Sequence, residues 1–328
     1  MQQTPEQIAF CDELSFGTQS ILLNAVAGSG KTTTICMGLA ESGVAPAETL
    51  LLAFNKKISE ELTKRTPKGT NCLTLNSLGH RAWMKHCGRR VALDARKVGT
   101  IVSDMCKHPN KEANAYLQKL WAPAKDLVAK AKSVGILPER FSNGKTLLED
   151  TYENWETLAL LHGIEFTKDI HKIAHAALEK SIEMAIGGTI DFDDQLYMPA
   201  VFRATMDKYK PVLVDEAQDL SELQHFLISR CVQTNGKLVI VGDPHQAIYG
   251  FRGAHSDSMR VLGEKFSAKE LTLSYTFRCS QAATKLAKQF VKQIEAAPSN
   301  LPGEVRNLGL NWEPSDVEEG SAVLCRNI

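Results

Sequence analysis

The chain has 328 residues, of which 43% are hydrophobic and 23% are charged, and its 38 basic and 38 acidic side chains give a net charge of zero. This composition excludes a disordered chain and a membrane protein, because apolar residues are abundant but no run of about 18 of them exists. The length predicts at least two domains. The eight scattered cysteines form no Cys-x-x-Cys pair, and no secretory leader is visible, which favours reduced thiols and a cytoplasmic protein.

Six short apolar runs predict the strands of an α/β fold, with a mostly parallel sheet between helices. They cover residues 21–26, 50–54, 72–75, 211–215, 237–242 and 271–275. Residues 85–189 are instead rich in Ala, Lys, Leu and Glu, with apolar side chains at helical spacing, which predicts a helical insertion between the third and fourth strands. Parallel sheets bind ligands at the carboxyl ends of their strands, so the polar motifs that follow these runs form the candidate site.

The first such motif, residues 24–34, reads Asn-Ala-Val-Ala-Gly-Ser-Gly-Lys-Thr-Thr-Thr. A glycine-rich turn between a strand and a helix predicts a phosphate-binding loop, in preference to an ordinary turn. Gly28 and Gly30 let backbone N–H groups point at phosphate oxygens, Lys31 supplies a cation, and the Thr32 hydroxyl suits Mg²⁺. We therefore predict a nucleoside triphosphate site. Its contacting residues are Ala27, Gly28, Ser29, Gly30, Lys31, Thr32 and Thr33.

Positive charge is concentrated in residues 51–100, which carry eleven lysines and arginines against three acids. A local basic stripe of this kind predicts contact with a phosphate backbone. The alternative is a solvated basic face without a ligand.

The fourth predicted strand ends in Asp215-Glu-Ala-Gln-Asp219, which places two adjacent carboxylates at the edge of the sheet. Asp215 suits coordination of Mg²⁺, and Glu216 suits orienting and deprotonating an attacking water. A polar turn after a strand is the alternative interpretation of the motif taken alone.

The fifth predicted strand leads into Gly242-Asp-Pro-His-Gln-Ala-Ile-Tyr-Gly-Phe-Arg-Gly-Ala254. Gln246 is an uncharged donor that suits sensing of a γ-phosphate. Tyr249, Phe251 and Arg252 suit stacking of unpaired bases, with burial of the two aromatic rings in a core as the alternative.

These last two motifs together resemble the UvrD/Rep/PcrA family of superfamily 1 DNA helicases, and five motifs agree with that family in order and spacing. The resemblance implies a RecA-like P-loop NTPase fold with a helical insertion subdomain and an incomplete second RecA-like domain. Residues 1–84 and 190–277 correspond to motor domain 1A, residues 85–189 to insertion 1B, and residues 278–328 to the start of motor domain 2A.

The resemblance also implies further nucleotide contacts. Gln7, in Thr4-Pro-Glu-Gln7, corresponds to the glutamine that reads adenine, although the same residues make a good helix capping box. Phe277 corresponds to a ring that stacks on adenine. Arg278 corresponds to an arginine that contacts the γ-phosphate, where a cation stabilises the charge of the transition state; a surface ion pair is the alternative.

Contacts to single-stranded DNA are implied at two further motifs. Phe54, Asn55 and Lys57 lie in a segment similar to one that grips the strand, and Thr74 and Ser77 lie in another. The segment 191–194, Asp-Phe-Asp-Asp, resembles an acidic and aromatic segment that returns from the insertion.

Taken together, the sequence predicts an ATP- and Mg²⁺-dependent DNA helicase or translocase that acts on single-stranded or partial-duplex DNA, with 3′→5′ travel implied by the resemblance. No membrane is involved, and the expected location is the cytoplasm, at the nucleoid in a bacterial or phage context. The later family motifs are missing before Ile328, so we expect a truncated form, or a partner or missing segment that supplies the rest of the second motor domain. The alternatives are a non-catalytic single-stranded DNA-binding or regulatory protein, and a phosphate-loop ATPase unrelated to nucleic acid.

Overall fold

The computed structural model describes residues 3–142, 144, 146–247, 257–309, 313 and 317. Within these residues the main sheet has six parallel strands in the order β3-β2-β6-β7-β1-β8, and two small sheets pair β4 with β5 and β9 with β10. The strands are β1 (Ile21–Ala25), β2 (Leu50–Ala53), β3 (Asn71–Thr74), β4 (Ala92–Leu93), β5 (Thr189–Ile190), β6 (Val212–Val214), β7 (Leu238–Gly242), β8 (Lys269–Leu273), β9 (Tyr275–Thr276) and β10 (Glu295–Ala296). The predicted parallel α/β sheet is confirmed.

Twelve α-helices lie in the described part of the chain, and none of them is long and apolar enough to cross a membrane. They are α1 (Pro5–Phe16), α2 (Lys31–Glu41), α3 (Lys56–Arg65), α4 (Leu75–Cys87), α5 (Lys97–Met105), α6 (Lys111–Val134), α7 (Tyr152–Leu161), α8 (Lys168–Ile186), α9 (Asp194–Val201), α10 (Glu222–Cys231), α11 (Ser258–Lys265) and α12 (Gln281–Ala287).

The central strands are covered on both faces. Every residue of β2, β6 and β7 is buried, as expected for a parallel sheet between helices. Because successive strand side chains alternate, Val239 packs on the side of Phe10 in α1 and Ile35 in α2, whereas Ile240 packs on the side of Leu227 and Leu262 in α10 and α11. The sheet is thereby fixed in one register, and its carboxyl edge is left for polar residues.

Helices α5 to α8 occupy the stretch between β3 and β6, where the sequence predicts helices, and they have a core of their own. Trp83 in α4 and Tyr197 in α9 belong to the same core, so the core of these helices continues into the two helices that flank them in the chain. A Cβ atom at Gly79 would lie 2.0 Å from the backbone oxygen of Gln195, which shows how closely α4 and α9 approach. The sequence patterns did not predict the two-residue pair of β4 and β5. The proposed domain boundaries stay a prediction.

Candidate functional site

The glycine-rich turn joins β1 to α2 at the carboxyl edge of the sheet. Gly28 and Gly30 have φ angles of +73° and +80°, a region that favours glycine. A Cβ atom at Gly28 would lie 2.6 Å from Cβ of Arg278 and 2.8 Å from Oγ1 of Thr276, so a side chain is excluded there. The backbone N–H of Phe277 donates to the oxygen of Gly28 at 2.9 Å. The structure thus brings Phe277 and Arg278 against the loop, and Arg278 is exposed.

The inside of the turn has the features of an anion site. The Ser29 hydroxyl is buried, at 2% exposure, and has no hydrogen-bond partner among the described residues. A buried hydroxyl normally has a partner, and a phosphate oxygen would supply one here. A Cβ atom at Gly30 would meet only Nε2 of Gln7, at 3.8 Å, so the turn is open on that side. Helix α2 begins at Lys31 and directs its N-terminus at the same space.

The two carboxylates after β6 lie beside this turn. The Thr32 hydroxyl donates to Oδ2 of Asp215 at 3.4 Å, and Nζ of Lys31 is 3.8 Å from Oε2 of Glu216. Asp215 is 5% exposed, and its Oδ1 accepts the backbone N–H of Glu216 at 3.0 Å. The four residues predicted from two distant motifs therefore meet at one edge of the sheet.

Electrostatics at Asp215 favour a bound cation. Burial, and next the charge of Glu216, raise the pKa of Asp215 to about 6, although Lys31 and Thr32 act in the opposite direction. A divalent cation at this position would offset both the burial of the Asp215 charge and its repulsion by Glu216. In the described ranges no group of three or more His, Cys, Asp or Glu side chains is arranged to hold a metal. The donor set of Thr32 and Asp215 nevertheless fits Mg²⁺, which takes one or two protein ligands and completes its shell with phosphate oxygens and water.

Gln218 links the catalytic candidates and was not among the predicted site residues. Its Nε2 donates to Oε2 of Glu216 at 2.8 Å, and its Oε1 accepts the backbone N–H of Asp243 at 3.2 Å. Nε2 of Gln246 donates to Oδ2 of Asp243 at 2.6 Å. Gln246 is thereby connected to Glu216 through two buried residues, Asp243, which uses its carboxylate and its backbone N–H, and the amide of Gln218. The sequence did contain one signal for this role, because the Gln218 amide lies within a short segment that carries three carboxylates, at residues 215, 216 and 219.

Gln7 forms the capping box that the sequence offered as the alternative to adenine reading. Its Oε1 accepts the N–H of Thr4 at 3.0 Å, and the Thr4 hydroxyl accepts the N–H of Gln7 at 3.2 Å. Its Nε2 donates to Oγ1 of Thr34 in α2 at 3.1 Å. Both polar atoms of the Gln7 amide are hydrogen-bonded within the protein. Adenine reading stays a prediction, and it would require Gln7 to exchange these bonds for bonds to the base. On the flank of the loop, Arg65 donates to the Thr33 hydroxyl at 2.9 Å.

The predicted DNA-binding residues of the first two motifs also lie at the carboxyl edge. Phe54 follows β2 and is 46% exposed, and a cavity of about 260 Å³ extends from it to Asp215 and Glu216. Asn55 caps α3, and Lys57 in its first turn is exposed. The Thr74 hydroxyl caps α4 and donates to the hydroxyl of Ser77 at 3.0 Å. Helix capping alone explains why Asn55 and Thr74 are present, so their contacts to DNA stay predictions.

The other three predicted DNA-binding residues, Tyr249, Phe251 and Arg252, lie outside the described residues.

The basic residues of segment 51–100 do not all add positive charge to the surface. Lys97 is fully buried and paired with Asp194, and Lys85 is 2.7 Å from Asp207. The count of positive charges therefore overstated the basic surface, because sequence position alone does not separate a buried lysine from an exposed one.

Comparison with known proteins identifies relatives of this arrangement. A family model described as the UvrD/REP helicase N-terminal domain matches residues 11–267. The probable DNA helicase II homolog of Mycoplasma capricolum is 26% identical over 291 residues, which cover 82% of this chain and 38% of that protein. The ATP-dependent DNA helicase srs2 of Schizosaccharomyces pombe is 24% identical over 302 residues, which cover 83% of this chain and 33% of that protein. The ATP-dependent DNA helicase PcrA of Staphylococcus aureus is 21% identical over 313 residues, which cover 86% of this chain and 39% of that protein. The chain thus spans about a third to two fifths of the length of these relatives.

Proposed function

The chain belongs to the UvrD/REP helicase family, and on that premise we propose that it is an ATP-dependent motor that moves on single-stranded DNA. The observation that carries the proposal is the meeting of Lys31, Thr32, Asp215 and Glu216 at one edge of the sheet, beside the exposed ring of Phe54. Nucleotide use belongs to the family, whereas the roles of single residues are our proposal.

In the proposed reaction, the phosphates of ATP lie in the turn of residues 27–33. Lys31 and Arg278 balance the charge of the γ-phosphate, and Glu216 orients a water and accepts its proton. A bond forms between the water oxygen and the γ-phosphorus, the bond from that phosphorus to the bridging oxygen breaks, and ADP and phosphate leave. Mg²⁺ held by Thr32 and Asp215 would neutralise phosphate charge during this step.

The strand of DNA is proposed to run along the carboxyl edge over Phe54, with Lys57, Thr74 and Ser77 near its phosphates. Stacking on an aromatic ring and contact of cations with phosphates bind any sequence, as a motor requires. Travel in the 3′→5′ direction, action on partial duplexes, and a location in the cytoplasm or nucleoid belong to the same proposal.

ATP hydrolysis by Lys31→Ala, measured with and without a single-stranded oligonucleotide, tests the proposal. We expect DNA to stimulate hydrolysis by the original chain, and the substitution to lower the stimulated rate by about 100-fold or more, as removal of one charged contact to a transition state does. Lys119→Ala, an exposed lysine on α6 outside the basic segment 51–100, is the control and should leave the rate unchanged. An unchanged rate in Lys31→Ala would refute the site. Binding of both ATP and DNA without hydrolysis would favour the regulatory alternative.

A further inference from the structure

A second set of hydrogen bonds connects the segment that follows Glu216 to helices α10 and α11. The hydroxyl of Ser258, the first residue of α11, donates to the backbone oxygen of Ala217 at 2.7 Å. Nε2 of His225 in α10 lies 2.8 Å from the same hydroxyl. Ser258 and His225 are 2% and 5% exposed, and Ala217 is fully buried. These groups are therefore shielded from water, which would otherwise compete for each bond.

The proton count fixes the direction of this chain of bonds. A serine hydroxyl has one proton, and here it goes to the oxygen of Ala217, which can only accept. The hydroxyl must then accept from His225, so the ring carries its proton on Nε2. The result is a continuous series, His225 to Ser258 to Ala217, which ends one residue after Glu216.

Glu216 has a backbone that needs such support. Its φ angle is +53°, in the left-handed region that a glutamate seldom adopts. Strain of this kind persists only where the surroundings impose it, and it is found at functional sites. Gln218 holds the Glu216 carboxylate at 2.8 Å, and Ser258 holds the carbonyl of the next residue. One contact thus positions the side chain and the other positions the backbone.

We propose that Ser258 and His225 are positioning residues for ATP hydrolysis, which hold the turn at Ala217 so that the Glu216 carboxylate faces the attacking water. The inference rests on the proposed function. Neither residue belongs to the glycine-rich turn or to the predicted nucleotide contacts, so their loss should slow the chemical step and leave nucleotide binding intact. A small displacement of a catalytic group is enough for a large loss of rate.

The test is a split between kcat and KM in Ser258→Ala. We expect kcat of DNA-stimulated hydrolysis to fall about 10-fold or more, with KM for ATP within about twofold of the original. His225→Leu should have a smaller effect, because Ser258 still donates to Ala217. His225→Gln keeps an N–H near the position of Nε2 and should recover most of the rate.

Ser59→Ala is the matched control. The Ser59 hydroxyl also donates to a backbone oxygen, that of Cys72 at 3.0 Å, and is 9% exposed, but it lies on α3 away from Ala217. Thermal unfolding of all variants shows whether they are folded to a similar extent, and the order of the His225 variants remains informative if Ser258→Ala is unstable.

The outcomes separate the two proposals. If the original chain hydrolyses ATP and Ser258→Ala has the same kcat, the positioning role is refuted and the proposed function stands. An equal fall of kcat in Ser59→Ala, or no difference between His225→Gln and His225→Leu, also refutes it. If the original chain hydrolyses no ATP under any condition, the proposed function fails, and this inference fails with it.

Discussion

Asp215 is buried at a position that disfavours its negative charge. Burial, together with the charge of Glu216, raises its pKa from 3.8 to about 6. In the unfolded chain the same carboxyl titrates near its ordinary value of about 4. Between about pH 4 and pH 6 the folded protein therefore binds more protons than the unfolded chain, so its stability falls as pH rises through this window. A residue suited to hold a cation thus lowers the stability of the protein without one.

Asp215→Asn should remove this pH-dependent cost. We expect the free energy of unfolding of the variant to equal that of the original near pH 4 and to exceed it by about 1–3 kcal/mol at pH 7, while affinity for Mg²⁺ and ATP falls. Urea unfolding at several pH values from 4 to 7.5 measures the difference. Asp126→Asn, an exposed aspartate on α6, serves as the control and should show no such trend. A difference that stays constant across the series would contradict the assignment.

Four buried charges join the helical insertion to the helix that returns to the sheet. Nζ of Lys132 in α6 is 2.6 Å from Oδ2 of Asp191 and 2.8 Å from Oδ1 of Asp194, and Lys97 in α5 pairs with Asp194. Burial alone would raise the pKa of Asp191, but the charges of Lys132 and Lys97 lower it overall. The group is neutral as a whole, and it fixes α5 and α6 to the start of α9.

Lys132→Met should be strongly destabilising, because it leaves two buried carboxylates with one lysine. We expect a loss of about 3–5 kcal/mol in the free energy of unfolding, the usual cost of removing one partner from a buried ion pair. Urea unfolding measures it, with Lys119→Met, an exposed lysine on the same helix, as the control.

A second substitution tests whether charge rather than packing is responsible. Lys132→Met combined with Asp191→Asn removes one charge of each sign, so the double variant should be more stable than Lys132→Met alone. Equal or lower stability of the double variant would assign the loss to packing instead.

The same elements show what the sequence allowed us to predict. The six strands were placed to within two residues at each end. The central strands are continuous apolar runs because they are covered on both faces, whereas the edge strand β8 begins with the exposed Lys269 and Glu270 and was placed two residues late. The burial of Lys97 and Lys132 could not be predicted, because their partners lie far along the chain and a helical pattern does not show which lysine faces inward. Gln218 was missed for a similar reason: its second partner, Asp243, follows β7, which is distant from Gln218 along the chain. Local patterns predict elements, whereas contacts between distant segments decide which polar residues are buried together.

The sheet and the helical insertion face each other across Phe54. A cavity of about 320 Å³ is lined by Phe54 and Gln224 from the side of the sheet and by Lys130 and Ser133 from α6. The cavity that reaches Asp215 and Glu216 shares Phe54 and Gln224 with it. The ring of Phe54 therefore lines both cavities, and in the proposed function a base stacks on it beside the nucleotide.

Phe54→Ala should therefore weaken binding of single-stranded DNA without changing affinity for ATP in its absence. Loss of stacking on one base is expected to cost about 1–3 kcal/mol, which is about 5- to 150-fold in Kd. Fluorescence anisotropy of a labelled oligonucleotide at fixed salt measures the change, because phosphate contacts make affinity strongly dependent on salt. Phe16→Ala removes a ring that is 84% exposed at the end of α1, remote from the carboxyl edge, and should leave the Kd unchanged. If both variants bind the oligonucleotide as the original does, the strand does not pass over Phe54, and the proposed path of DNA along the carboxyl edge is wrong.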